Sequence, residues 1–140
     1  MKKRIIIILV VLLVIIGVIV YVFFNRGGDV SSVRTSFTST DYHSEDDIKQ
    51  SMKIVKDFFQ KKFKGCTLTD LWYDDAVSLD AENEWKQQYN GEEAIILSSN
   101  FDVDASGGDG SLDPNETYTD WQWILVKNSD GEWKLETYGY

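Results

Sequence analysis

Twenty consecutive residues, Ile5 to Phe24, hold nineteen apolar side chains, Gly17 and no charge. At about 1.5 Å of rise per residue, a helix of this length crosses the roughly 30 Å hydrocarbon core of a bilayer. In lipid, a single segment satisfies its backbone donors and acceptors only as a helix, so a transmembrane helix is expected over residues 5–24. Lys2, Lys3 and Arg4 precede the run, whereas only Arg26 follows it closely. The positive-inside bias therefore keeps residues 1–4 in the cytoplasm and displays the rest outside, as a single-pass protein of the cell membrane. Tyr21, Phe23 and Phe24 fall at the outer interface, where aromatic rings are favoured. A cleavable secretory signal has a shorter apolar core, about 7–15 residues, ending in small residues. Residues 22–28 read Val-Phe-Phe-Asn-Arg-Gly-Gly, and the sole Cys, Cys66, lies too far along to be a lipoprotein cysteine. The expectation is an uncleaved signal anchor, with the lipid bilayer as first partner.

The chain carries 14 Lys and Arg against 23 Asp and Glu. Four of the basic residues flank the apolar run, which leaves ten against 23 beyond it, a net −13 for the distal part. Neutralising phosphates requires a Lys/Arg surface, so this charge argues against nucleic acid as the main partner and repels anionic lipid as well. Solubility, a cationic ligand or a cationic partner all fit this charge. One thiol makes no internal bridge, so the distal domain must be held by its core.

Residues 25–40 are rich in Gly, Ser and Thr and are expected to form a flexible linker before an α+β domain over 41–140. Ser44 followed by Glu45, Asp46 and Asp47 is a helix start, with an N-cap hydroxyl and acids in the first turn. Ile48, Met52, Val55, Phe59 and Phe63 recur at steps of four and three as one apolar stripe, and Gly65 supplies the stop. Cys66–Tyr73 is rich in strand formers, and Asp80–Tyr89 reads as a short second helix. Three longer strands are expected at Glu93–Asp104, Thr117–Lys127 and Glu132–Tyr138. Asn128 to Gly131 forms the last hairpin turn, and residues 105–116 a longer polar loop. The predicted architecture is an α+β roll, with both helices on one face of the sheet.

The strings Gly65-Cys66-Thr67-Leu68-Thr69-Asp70-Leu71-Trp72-Tyr73-Asp74 and Trp121-Gln122-Trp123-Ile124-Leu125-Val126, with the loop Phe101 to Leu112, resemble an uncharacterised group of small proteins. These are membrane-tethered or lipid-anchored proteins of Gram-positive, clostridia-type bacteria, similar to the cystatin-like, nuclear transport factor 2-like α+β cone. The resemblance covers roughly residues 44–140 and implies a long helix lying across a curved antiparallel sheet. It implies no activity, since that fold hosts both enzymes and binding modules.

Five Trp fall within Trp72 to Trp133, and aromatic walls with a few polar groups describe a small-molecule pocket as well as a small core. The candidate ligand-binding residues are Asp70, Trp72, Trp85, Trp121 and Trp123. Asp70, between Leu68 and Trp72, is the carboxylate expected to be buried with a raised pKa, the basis for a general base. Asp102, Asp104, Ser106, Gly107 and Asp113 follow calcium-loop spacing. Asp109 stands where an apolar residue belongs, however, and strands flank the loop, so no metal is assigned. One His and one Cys make no zinc set; His43 is expected to be exposed and Cys66 to be a small buried hydrophobe. No cofactor is expected. Three functions follow: an externally displayed, non-catalytic module binding a small ligand, cell-wall component or envelope protein; an isomerase- or hydrolase-like enzyme using Asp70; or an acidic immunity or antagonist protein.

Overall fold

A computed structural model of the chain describes residues 2–24, 26–38 and 40–140. Helix α1 (Lys2–Phe24) contains the apolar run. It is the one helix among the described residues long and apolar enough to cross a membrane, and its span Lys3–Val22 is not buried. The remainder is α+β, in the order β1 (Arg34–Phe37), α2 (Glu45–Lys62), β2 (Cys66–Tyr73), α3 (Asp75–Tyr89), β3 (Glu93–Val103), β4 (Thr117–Lys127) and β5 (Trp133–Gly139).

Helix α2 starts where its cap predicts. The Ser44 hydroxyl accepts from the Asp47 backbone N–H at 3.1 Å, and three acids occupy the first turn. Its stripe Ile48, Met52, Val55 and Phe59 is buried, with Phe63 at the C-cap, and it packs on Leu68, Leu71, Ile95, Leu97, Phe101, Trp123 and Leu125. Helix α3 begins at Asp75, five residues before the expected Asp80, because the Asp74 carboxylate caps it by accepting from the Ala76 N–H at 2.8 Å.

The sheet has five strands in the order β1-β2-β3-β4-β5. Pairing is antiparallel from β2 to β5, while β1 joins β2 in parallel, with Arg34 opposite Asp70 and Phe37 opposite Tyr73. Two expectations are corrected here. Residues 25–40 are not a free linker: beyond positions 25 and 39, which lie outside the described residues, the segment supplies β1 and packs Val30, Val33 and Phe37 on the core. Those three apolar side chains outweigh the Gly/Ser/Thr composition around them.

The helices also do not share one face. Val77, Ala81, Trp85 and Tyr89 of α3 cover Ala94, Ile96, Ile124 and Val126, the residues that alternate with the α2-facing set. Central strands covered on both faces become continuously apolar, as the Ala94 to Leu97 run is.

The head begins almost where α1 ends. The Gly28 N–H donates to Gln60 O at 3.0 Å, the Asp29 N–H donates to Cys66 O at 2.9 Å, and Asp29 O accepts from the Leu68 N–H at 2.8 Å. A Cβ on Gly27 would lie 1.8 Å from Gln60 O, and one on Gly28 would lie 2.6 Å from the Phe59 ring. The chain is thus wedged against the last turns of α2. Gly27→Val should lower the thermal midpoint of the head, since overpacking costs about 1–3 kcal/mol, roughly 4–8 °C for each kcal/mol at this domain size. Gly17→Ala, which meets nothing within 4 Å, should leave it unchanged. Near-UV circular dichroism of the full chain in detergent is the measurement; equal midpoints for the Gly27 variant and the parent would mean that the segment is not wedged.

Candidate functional site

At the C-terminal end of α2 the core opens to the surface. Phe63 stacks on Phe59 with ring centroids 4.7 Å apart and meets the rings of Trp123 at 5.3 Å and Tyr138 at 5.6 Å. Trp121, half-buried on β4, stands edge-on to Phe101 at 5.4 Å and to Tyr140 at 5.1 Å. Gly108, Asp109 and Leu112 from the β3–β4 loop close the other side of a cleft of about 110 Å³, with Lys62 and Lys64 at its rim. The Trp121 indole N–H lies buried with no acceptor among the described residues. Buried donors are normally paired, so this group stands as an unsatisfied donor behind the wall of the cleft.

The five candidate binding residues divide among separate places. Trp121 belongs to this cleft, and Trp123 is fully buried beneath it, its indole donating to the Ser99 hydroxyl at 2.8 Å. Trp85 lies on the opposite face, stacked on Tyr89 at 6.1 Å. Trp72 alternates with the core residues Leu71 and Tyr73 and so points to that opposite face too, between Ser36 and Ser98. Asp70 does not carry the raised pKa expected of it. The exposed Arg34 of β1 donates to it through Nε at 2.8 Å, and this hydrogen bond, opposed by slight burial, holds the Asp70 carboxyl below its ordinary value. A carboxylate so paired is a poor proton acceptor at neutral pH.

His43 is buried rather than exposed. Its ring nitrogens stand 3.4 Å from Glu93 and 3.9 Å from Glu82, and its ring meets Tyr73 and Trp133 edge-on. Beside it, Asp47 accepts from the Trp133 indole at 2.7 Å, and Lys127 bridges Asp47 and Glu93. Burial raises the Asp47 carboxyl, but the donors Trp133, Ser44 and Lys127 together bring it below its ordinary value. His43 occupies the position before the N-cap, and its burial comes from the non-local neighbours Tyr73, Glu82, Glu93 and Trp133, which no local signal in the sequence brings together.

Asp102, Asp104 and Asp109 are engaged within the β3–β4 hairpin itself. Asp102 accepts from the Thr117 hydroxyl at 2.6 Å, while Asp104 and Asp109 cap turns by accepting from the Ser106 and Ser111 N–H groups at 2.8 and 3.0 Å. The Ser106 and Ser111 hydroxyls, foremost, hold Asp104 and Asp109 below their ordinary pKa values. Among the described residues no group of three or more His, Cys, Asp or Glu is placed to hold a metal ion. Cys66 is buried, and desolvation first, then Asp104 and Asp109, push its thiol up to about 11, far from a reactive thiolate.

Compared with models of protein families, with curated proteins and with solved structures, the chain matches none.

The Arg34–Asp70 pair yields a direct test. A depressed carboxylate pKa contributes stability that is present above the unfolded value and lost as pH falls through the folded one. Carbon-detected NMR titration should place the Asp70 midpoint below the ordinary 3.8 and move it upward in Arg34→Ala. An Asp70 midpoint above 3.8 in the parent would restore the general-base alternative.

Proposed function

We propose that the chain is a single-pass, membrane-anchored binding module, its head outside the cell and its recognition surface the aromatic cleft at the end of α2. The observation that carries this reading is the pairing of a bare apolar helix with a head that closes its own core without it. A helix with span residues Ile5 to Val22 about half exposed or more has no place in water. The three basic residues before the span, against Arg26 alone close behind it, favour an outward head.

Binding is favoured over catalysis because the polar groups near the cleft are already committed: Asp104 and Asp109 cap turns and Cys66 is held protonated, while Asp70, away from the cleft, is paired with Arg34. The cleft has room for a small group such as a headgroup, a sugar ring or one protein side chain. The kinship with the cystatin-like cone remains part of this proposal: the long α2 lying across the sheet supports it, and α3 on the other face departs from it.

Alkaline carbonate extraction of membranes from expressing cells tests the anchor, and protease added to intact cells tests the orientation. The expected outcome is a full-length chain retained in the pellet and a head digested from outside. A soluble chain shortened by its first two dozen residues would replace the anchor with a cleaved signal.

A further inference from the structure

We propose that the cleft is seated on the headgroup layer of the very bilayer that holds α1, with Lys62 and Lys64 on lipid phosphates and Trp121 and Tyr138 at the interface. The inference rests on the anchor reading above and names the ligand of that same site as a lipid headgroup.

Chain length is the first argument. Phe24 ends the apolar helix, and Gly27 is already wedged against Gln60 O. Three peptide links reach at most about 11 Å. A headgroup layer is itself roughly 5–8 Å thick on each side. The C-terminal turn of α2 therefore has no room to stand clear of the surface.

What the fold puts at that end is the second argument. Lys61 and Lys62 close α2 and Lys64 follows at once, all three exposed, in a head whose charge is otherwise acidic. The aromatic cleft adjoins a wider opening of about 420 Å³ lined by Arg26 and Gly27, the two sharing Lys64, Cys66 and Gly108 in their walls. Tyr138 is 43% exposed and Tyr140 is 79% exposed beside the half-buried Trp121. Rings with an apolar body and a polar tip concentrate at the membrane interface.

Asp29, Asp102, Asp104 and Asp109 line the same openings and oppose anionic lipid. Net charge therefore does not drive the contact. A short connection does, since it holds the surface at an effective concentration on the order of millimolar.

The test uses the full chain reconstituted into vesicles of phosphatidylcholine and phosphatidylglycerol, with a lipid carrying a spin label in its headgroup region as quencher of tryptophan emission. The parent should be quenched, Trp121→Phe should lose most of the quenching, and Lys62→Glu with Lys64→Glu should weaken it while the near-UV spectrum is kept. Quenching that survives both sets of changes overturns the proposal. So does Trp121 emission that depends on protein-to-lipid ratio rather than on the quencher, which would assign the cleft to a second copy. A chain that stays with the vesicles through carbonate yet shows no Trp121 quenching sinks the docking alone. A chain released by carbonate sinks the anchor.

Discussion

The structure is organised around the aromatic cluster beneath the last turn of α2. Phe59, Phe63, Phe101 and Trp123 meet one another at centroid distances from 4.7 to 6.3 Å, so α2 cannot slide along the sheet without breaking several edge contacts. Each buried aromatic contributes about 1.5–3 kcal/mol through removal of apolar surface from water, more than any exposed ion pair of this head. Phe63 has a second part. It is the helix C-cap, its N–H donates to Phe59 O at 2.9 Å, and its ring forms the inner wall of the cleft. The same turn presents Gln60 O to Gly28. Core, cleft and entry of the chain are thus tied to one helix end.

Helix α2 was legible because three independent signals agreed: the Ser44 cap, the four-three stripe and the Lys-rich last turn before Gly65. Strands β2 to β5 were legible from strand formers and from the Asn128 turn, whose side chain accepts from the Asp130 and Glu132 N–H groups. The two-faced sheet was not. Ala94-Ile95-Ile96-Leu97 carries no alternation, so period-2 reasoning keeps Ile95 and Leu97 and leaves their neighbours unassigned. Parallel β1 was hidden as well, because four residues among Ser, Thr and Gly make a weak local signal. Its place is fixed by register with β2 and by the Arg34–Asp70 pair, both non-local. Of the candidate site, Trp121 was legible as an aromatic on the right strand. The cleft itself was not, since Lys64, Gly108 and Tyr138 come together only through the fold.

The far end of the sheet shows how an acidic head keeps its charges in order. Asp47, Glu93 and Glu82 come from α2, β3 and α3 respectively, and Lys127 with Lys86 alternates with them around His43. Removing one member would leave a partner unpaired in a half-buried place, which costs more than the pair itself contributes. This clasp joins both helices to the middle strands through polar contacts, while the other end of α2 relies on rings.

That polarity bears on what the molecule can do. Charge repulsion alone would turn a strongly acidic head away from an anionic surface, and a long linker would let it turn. Wedged Gly27 and Gly28 remove that freedom: the end of the head nearest the span is decided by hydrogen bonds to Gln60 and Cys66 rather than by its net field. The lysines gathered at this end then lie where their charge is complementary to phosphate, and the acids of the clasp lie at the opposite end of α2. An orientation set by covalent connection and core packing is insensitive to salt, whereas one set by the field of the whole head would fade within a Debye length of about 8–10 Å. On the proposed reading, recognition at such a fixed surface would need only a small cleft, because an anchor would already have supplied the encounter.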